Sequence, residues 1–414
     1  MRNPLCWMLA VLCGLPGMAH AQISRVRPGI PTNAALSQHG LEVAWSGQAV
    51  LNPSRDTVEH ITLDEQLVYV QGTNGVVTAF DAETGSRAWA LQLGKFDEPS
   101  FPAVSNEDIV LAVIGPSLYG VDKRSGDLMW QIRLPGAPSS GPAIDETQVY
   151  VGMLDGSVYA ISLRKIRQLY LEQRLPEWSY EAISWRHQAS KEITSPPISA
   201  GRTVNFASRD GSLYAVSTGR GALQFQFQTN APIVAGMARV GDTQFLASED
   251  FTFYAINSNN GTVLWEFVTG MPIRKSPVAI SNYLFVTPDR GGLFCLDVAT
   301  GNRNWWHPRL TSFMTLMGDR IIARDADRAL AIVDLKTGNL QGRVPARHFE
   351  LAVTNDRSDR IYLATTTGNV LAIRETGREL PTYHRFPERR PILPEFAPDE
   401  ETASQTEPAA APNP

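Results

Sequence analysis

Residues 79–89 read Ala79-Phe80-Asp81-Ala82-Glu83-Thr84-Gly85-Ser86-Arg87-Ala88-Trp89. The run joins a strand ending in Phe80 to a turn built on Asp81 and Gly85, then opens a new strand at Trp89. It is not unique in the chain. Counting from Asp81, the same slot returns at Asp122, Ser162, Ser217, Asn257, Asp297, Asp334 and Arg374, in steps of 41, 40, 55, 40, 40, 37 and 40 residues. A fixed period of about 40 residues marks a repeat architecture, and one insertion accounts for the long step.

Each copy repeats the same physics. Four positions before the slot stands a large apolar residue (Val77, Leu118, Val158, Leu213, Phe253, Leu293, Leu330, Val370), and two before it a mostly small one (Ala79, Gly120, Ala160, Ala215, Ala255, Cys295, Ile332, Ala372). The alternate positions are apolar as well, as in Tyr119, Tyr214 and Phe294 three before the slot and Val121, Val216 and Leu296 one before it. A strand apolar on both faces is covered on both faces, as when its sheet lies between two neighbouring sheets. A second strand core lies twelve positions back, in Leu67-Val68-Tyr69-Val70, Val149-Tyr150-Val151 and Ile361-Tyr362-Leu363. Between the two stand Asn74-Gly75, Asp155-Gly156, Asp210-Gly211 and Thr367-Gly368, the chemistry of a tight hairpin. Eight positions after the slot an aromatic opens the next strand: Trp89, Trp130, Phe225, Trp265 and Trp305, with Trp185 in the copy that carries the insertion.

Forty residues and four short antiparallel strands make one blade of an all-β propeller, and eight blades stacked radially bury one another's faces. The eighth copy ends at Gly377 with no Trp strand after it, whereas Glu42-Val43-Ala44-Trp45 is a Trp strand with no copy before it. Pairing the two completes one blade from both chain ends and removes the open edges. An irregular copy around Asp334 would leave seven blades; eight is the reading adopted.

The pattern Ala-x-Asp/Asn-x-x-Thr-Gly-x-x-x-Trp resembles the tryptophan-docking motif of pyrroloquinoline-quinone-like (PQQ-like) repeat propellers. Residues 79–89 carry it in full and 255–265 and 295–305 nearly so, and the resemblance extends over residues 42–377. Two branches matter. The quinoprotein alcohol dehydrogenases resemble one another in a vicinal Cys-Cys ring over the quinone, a calcium site and an Asp base, whereas here Cys295 stands alone in a slot where sister copies carry Ala. The resemblance therefore implies no cofactor, neither PQQ nor calcium, and no catalytic or metal-ligating residue. The chain is more similar to the BamB-type propellers of outer-membrane protein assembly, which implies a non-catalytic scaffold with envelope proteins, among them outer-membrane assembly components, as partners.

The ends and the charge set the surroundings. Residues 1–21 have an early Arg2, an apolar stretch from Leu5 to Leu15 and Ala19-His20-Ala21, the layout of a secretory signal peptide too short to span a bilayer. An exported, periplasmic, monomeric propeller is expected, with residues 22–41 as an N-terminal linker. Cys6 and Cys13 follow leucines, not the small residue a lipoprotein signal places before its cysteine, so association with the outer membrane would need another means. With 37 Lys and Arg against 42 Asp and Glu, the net charge of −5 offers no basic field for nucleic acid. Residues 378–414 are Pro-rich and carry Asp399-Glu400-Glu401; disorder is expected from about Glu395.

The insertion, residues 163–185, is the candidate functional feature, because insertions in propellers map to one rim. Leu163, Ile166, Leu169, Tyr170 and Gln173 fall at helical spacing and Pro176 ends the run. A short rim helix is expected to present Leu169, Tyr170 and Leu171, with Arg167 and Arg174, to a protein partner. The alternative is a helix folded back on its own blade. The histidines are scattered without metal-ligand spacing, and no P-loop, Gly-x-Ser-x-Gly or dinucleotide fingerprint occurs. Three function classes fit: an assembly scaffold of BamB type, a quinone-dependent oxidoreductase, and a propeller that binds an envelope ligand such as a glycan.

Overall fold

The computed structural model describes residues 30–384. The proposed signal peptide and the tail from residue 385 lie outside the described residues. Thirty-two strands form eight separate four-stranded antiparallel sheets. Blades 1 to 7 are continuous in sequence, at residues 58–92, 100–133, 143–188, 198–228, 238–268, 278–307 and 310–344. Blade 8 takes three strands from residues 351–375, and its fourth, outer strand is Leu41–Gln48. That strand pairs with Asn369–Glu375 from Leu41 opposite Glu375 to Gln48 opposite Asn369. The copy around Asp334 is a regular blade, so the count is eight.

First strands of neighbouring blades touch, Val58–Leu63 against Ser100–Ser105 and Ala238–Val240 against Val278–Ile280, so they line the axis of the ring. Third strands such as Ser212–Ser217 and Ser117–Asp122 are buried along nearly their whole length, as two-faced apolarity requires. Fourth strands such as Val263–Val268 are largely exposed and form the outer wall.

The docking aromatics show how one blade grips the next. The indole N–H of Trp45 donates to Ala82 O at 2.8 Å, Trp89 to Lys123 O at 2.9 Å, Trp185 to Thr218 O at 2.6 Å and Trp305 to Leu335 O at 2.8 Å, each time on the residue just after the next blade's Asp or Ser slot. The ring lies flat on that turn's glycine. A Cβ on Gly338, whose φ is +72°, would come within 2.7 Å of the Trp305 ring. The slot carboxylates hold these turns open to the ring: Asp122 accepts from the N–H groups of Arg124 and Ser125, and Asp297 from those of Ala299 and Thr300. Lys123 adds an ion pair at 2.9 Å to Asp64 of blade 1. Burial by itself pushes the Asp64 carboxyl up, but Lys123 and hydrogen bonds from Ser105, Gln66 and Leu67 outweigh it and hold the group below the usual carboxylate range.

The two seams that flank blade 8 carry parts the repeat does not supply. Blade 7 has Gly342 where the docking aromatic belongs, and the imidazole of His39 occupies the space over it. His39 comes from the segment expected to be a linker. Within that segment Asn33–Ser37 form a helix, α1, capped by Thr32, and Leu36 is fully buried among Met314, Met317, Val344 and Phe349. The N-terminal segment thus fills the gap that a missing ring leaves between blades 7 and 8. At the other side of blade 8, the buried Arg360 joins Asp359, Glu83 of blade 1 and the carbonyls of Arg378 and Glu379. Beyond it Tyr383 bridges to Ser358, so the chain from 378 to 384 lies along the ring.

Candidate functional site

The strand directions give the ring two faces. Turns between second and third strands, and loops from a fourth strand to the next first strand, share one face; the remaining turns share the opposite face. The insertion follows the third strand of blade 3 and belongs to the second of these faces.

Helix α2 spans Leu163–Leu171, with Ser162 as its cap through a bond from Lys165 N at 3.3 Å. Ile166 and Leu169, one turn apart, are fully buried with Trp130, Ile132, Leu134 and Ala182. Blade 3 has no glycine turn to receive the blade 2 tryptophan, and α2 covers that ring instead. Leu169 is therefore corrected: its side chain is 0 % exposed and packs on blade 2, so it cannot meet a partner. One side of the helix folds back on blade 2 and the other faces solvent. Tyr170 and Leu171 are exposed at 50 % and 73 %, and Arg167 is exposed beside them. Arg174 is half-buried and engaged with Glu172 at 3.1 Å and Glu181 at 2.5 Å, its guanidinium 4.7 Å above the Trp178 ring. A one-turn 3-10 helix at Ser179–Ala182 places Tyr180 next to Trp178, ring centres 5.8 Å apart, and both aromatics are exposed. Beside them opens a cleft of about 460 Å³, lined mainly by apolar groups including Ile132, Leu134, Pro135, Pro176 and Ile183. Sequence reasoning missed Trp178 and Tyr180. Their signal was present: two aromatics inside an insertion, at positions no repeat requires.

The opposite face was missed altogether, because no break in the repeat marks it. Its turns in blades 3 to 6 carry Leu154, Arg209, Glu249, Phe251 and Asp289, with Leu154 and Phe251 exposed. Arg209 pairs with Glu192 at 2.5 Å, and Arg274 bridges Glu249 of blade 5 and Asp289 of blade 6, each at 2.5 Å. Arg209, Glu192, Glu249, Arg274 and Leu154 line a cleft of about 490 Å³ that also takes in Phe101, Thr194 and Val234. Both arginines remain more than half exposed, so their pairs are solvent-screened and open to exchange with a partner's charges. The arrangement offers recognition by charge and shape.

Cys295 is buried beneath Asn304, and burial pushes its thiol up to about 12, which leaves it protonated and inert at neutral pH. Among the described residues no group of three or more His, Cys, Asp and Glu side chains converges as metal ligands would, and no helix is long and apolar enough to cross a membrane.

A family model described as outer membrane protein assembly factor BamB matches residues 34–99, 73–181, 172–279 and 249–385, which together run through the entire ring. The chain belongs to the BamB family. BamB of Burkholderia pseudomallei is 29 % identical over 167 residues, 40 % of this chain and 38 % of that protein. Tetrathionate hydrolase of Acidithiobacillus ferrooxidans is 26 % identical over 121 residues, 26 % of this chain and 24 % of the hydrolase. The chain thus spans well under half the length of the curated relatives it matches. Among solved structures, BamB of Moraxella catarrhalis superposes with a TM-score of 0.62 at 16 % identity, covering 81 % of this chain and 97 % of that one. The computationally designed Ika8 protein gives the same score at 14 % identity, over 79 % and 99 %. At such identities the two structures share the fold with this BamB-family ring and nothing finer.

Proposed function

We propose that this BamB-family propeller is a non-catalytic scaffold of the bacterial cell envelope that holds proteins engaged in outer-membrane assembly. The observation that carries this reading is the family match along the complete ring, in a fold whose clefts are bordered by exchangeable ion pairs and exposed apolar turns. The face bearing Arg209 and Arg274 is the docking face in this reading, with the exposed Leu154 and Phe251 of its turns as apolar contacts. The reaction chemistry of a quinoprotein has no part in it, and the scaffold needs no cofactor. The similarity to tetrathionate hydrolase covers about a quarter of either chain.

Photo-crosslinking in intact cells from position 154 tests the proposal. Capture of outer-membrane assembly components is expected, and Arg209→Glu with Arg274→Glu reduces it by about tenfold or more while the melting temperature stays within a few degrees. Efficient capture of unrelated molecules only, or capture indifferent to both reversals, overturns it. Dye-linked alcohol oxidation after addition of calcium and PQQ would instead favour an oxidoreductase.

A further inference from the structure

We infer that the blade 3 insertion is a second docking surface, on the face opposite Arg274, for an acidic peptide segment of a partner protein that also carries proline or aromatic residues. The inference extends the scaffold reading to two partners held on two faces.

Closing the ring does not require what the insertion displays. Ile166 and Leu169 suffice to cover Trp130, and the neighbouring blades pass from third to fourth strand through tight turns. Yet the insertion leaves Tyr170, Leu171, Trp178 and Tyr180 exposed, and Tyr180, in contact with Trp178, lines an apolar cleft. Exposed aromatics beside an apolar cleft mark an interaction site, and Trp, Tyr and Arg are the residues that dominate binding energy at interfaces. The ring of Trp178 is held by contacts with both Arg174 and Tyr180, which removes part of the entropy cost of ordering it on binding.

Charge specifies the occupant. The acidic groups of the insertion are largely spent internally, Glu172 and Glu181 on Arg174, and Glu181 also on Lys165. Arg164 and Arg167 are exposed and pair with no carboxylate among the described residues, and Arg133 adds a third cation at the cleft, against the single carboxylate of Glu177 there. The first turn of α2 contains no acidic residue, although the helix dipole favours one there. A local cationic surplus, set against the dipole in a chain of net charge −5, is complementary to a partner's carboxylates. Arg164, Arg167 and Leu171 lie along one side of the helix, and seven residues at 1.5 Å give a stripe of roughly 10 Å, the reach of three to four extended residues. A segment with carboxylates over the arginines thus brings an apolar residue to Leu171, and the cleft lined by Tyr180 and Arg133 takes a further proline or aromatic side chain of the same partner.

The test uses the full chain and dye-labelled peptides of 12 residues in which Asp and Glu alternate with Phe and Pro, and the same peptides with Lys in place of each acid. Fluorescence anisotropy is expected to show saturable binding of the acidic peptide only, weakened by salt. Arg164→Glu with Arg167→Glu, and separately Trp178→Ala, each lower affinity by about tenfold or more with the melting temperature unchanged within a few degrees. Equal binding of acidic and basic peptides, no binding, or affinity unmoved by either variant overturns the proposal. So does binding to phosphatidylglycerol vesicles without peptide binding, which would make the patch a lipid contact. A photo-crosslinker at position 180 that reacts within the chain with residues 395–414 would assign the cleft to the chain's own acidic tail and overturn it as well. None of these failures touches the scaffold reading, which is measured from Arg209, Arg274 and position 154.

Discussion

A single indole shows why the repeat was readable. Trp89 is 7 % exposed, packs on Tyr69, donates to Lys123 O at 2.9 Å and covers the turn at Gly126, so sequence, hydrogen bond and packing impose one residue type at one place. Trp89→Ala is expected to cost roughly 3–5 kcal/mol in chemical unfolding, as emptied aromatic sites do; a loss below about 0.5 kcal/mol would mean that the ring is not part of the blade contact. The turn aspartates were equally legible because their role is local, a carboxylate two and three residues before the N–H groups it accepts from. Leu169 was not. It stands next to Tyr170, both are apolar, and only the position of Trp130 in another blade decides that Leu169 turns inward and Tyr170 outward.

At the level of elements, sequence pattern located strands well and substitutes poorly. Helix α2 follows from its spacing and from Pro176, but its second task, standing in for a missing glycine turn, depends on a contact across blades. Helix α1 has too few residues to announce itself by periodicity, and the absence of an aromatic at Gly342 gives no hint of what fills the space. The 7–8 seam therefore depends on a segment that reads as linker. Leu36→Ala should destabilise the protein by about 2–5 kcal/mol, comparable with a residue deep inside a blade, as measured by denaturant unfolding. A change within about 0.5 kcal/mol, the range of surface positions, would show that α1 is an accessory.

For the whole molecule, the ring explains why long-range order could be argued without knowing any contact. Two orphan pieces, a Trp strand at the start and a copy lacking one at the end, must meet if no edge is to stay open. The functional faces did not follow in the same way. One carries an insertion that disturbs the period, whereas the other is built from Arg209, Arg274 and their carboxylates inside turns of ordinary length, and only folding brings blades 4, 5 and 6 together there. Both faces have meaning only if the ring closes, and closure rests on Leu41–Gln48 lying beside Asn369–Glu375. Glu42 and Arg374 are register partners there and form an ion pair at 2.8 Å. The decisive measurement replaces this pair with a disulfide, Glu42→Cys with Arg374→Cys, in a background of Cys6→Ser and Cys13→Ser, with one protease site engineered at Gln173. Opposed residues of an antiparallel pair lie within disulfide reach, and the buried Cys295 does not compete. Air oxidation is expected to join the two cut halves, which then migrate together without reductant and apart with it. Halves that separate without reductant, with both new thiols free, would contradict ring closure.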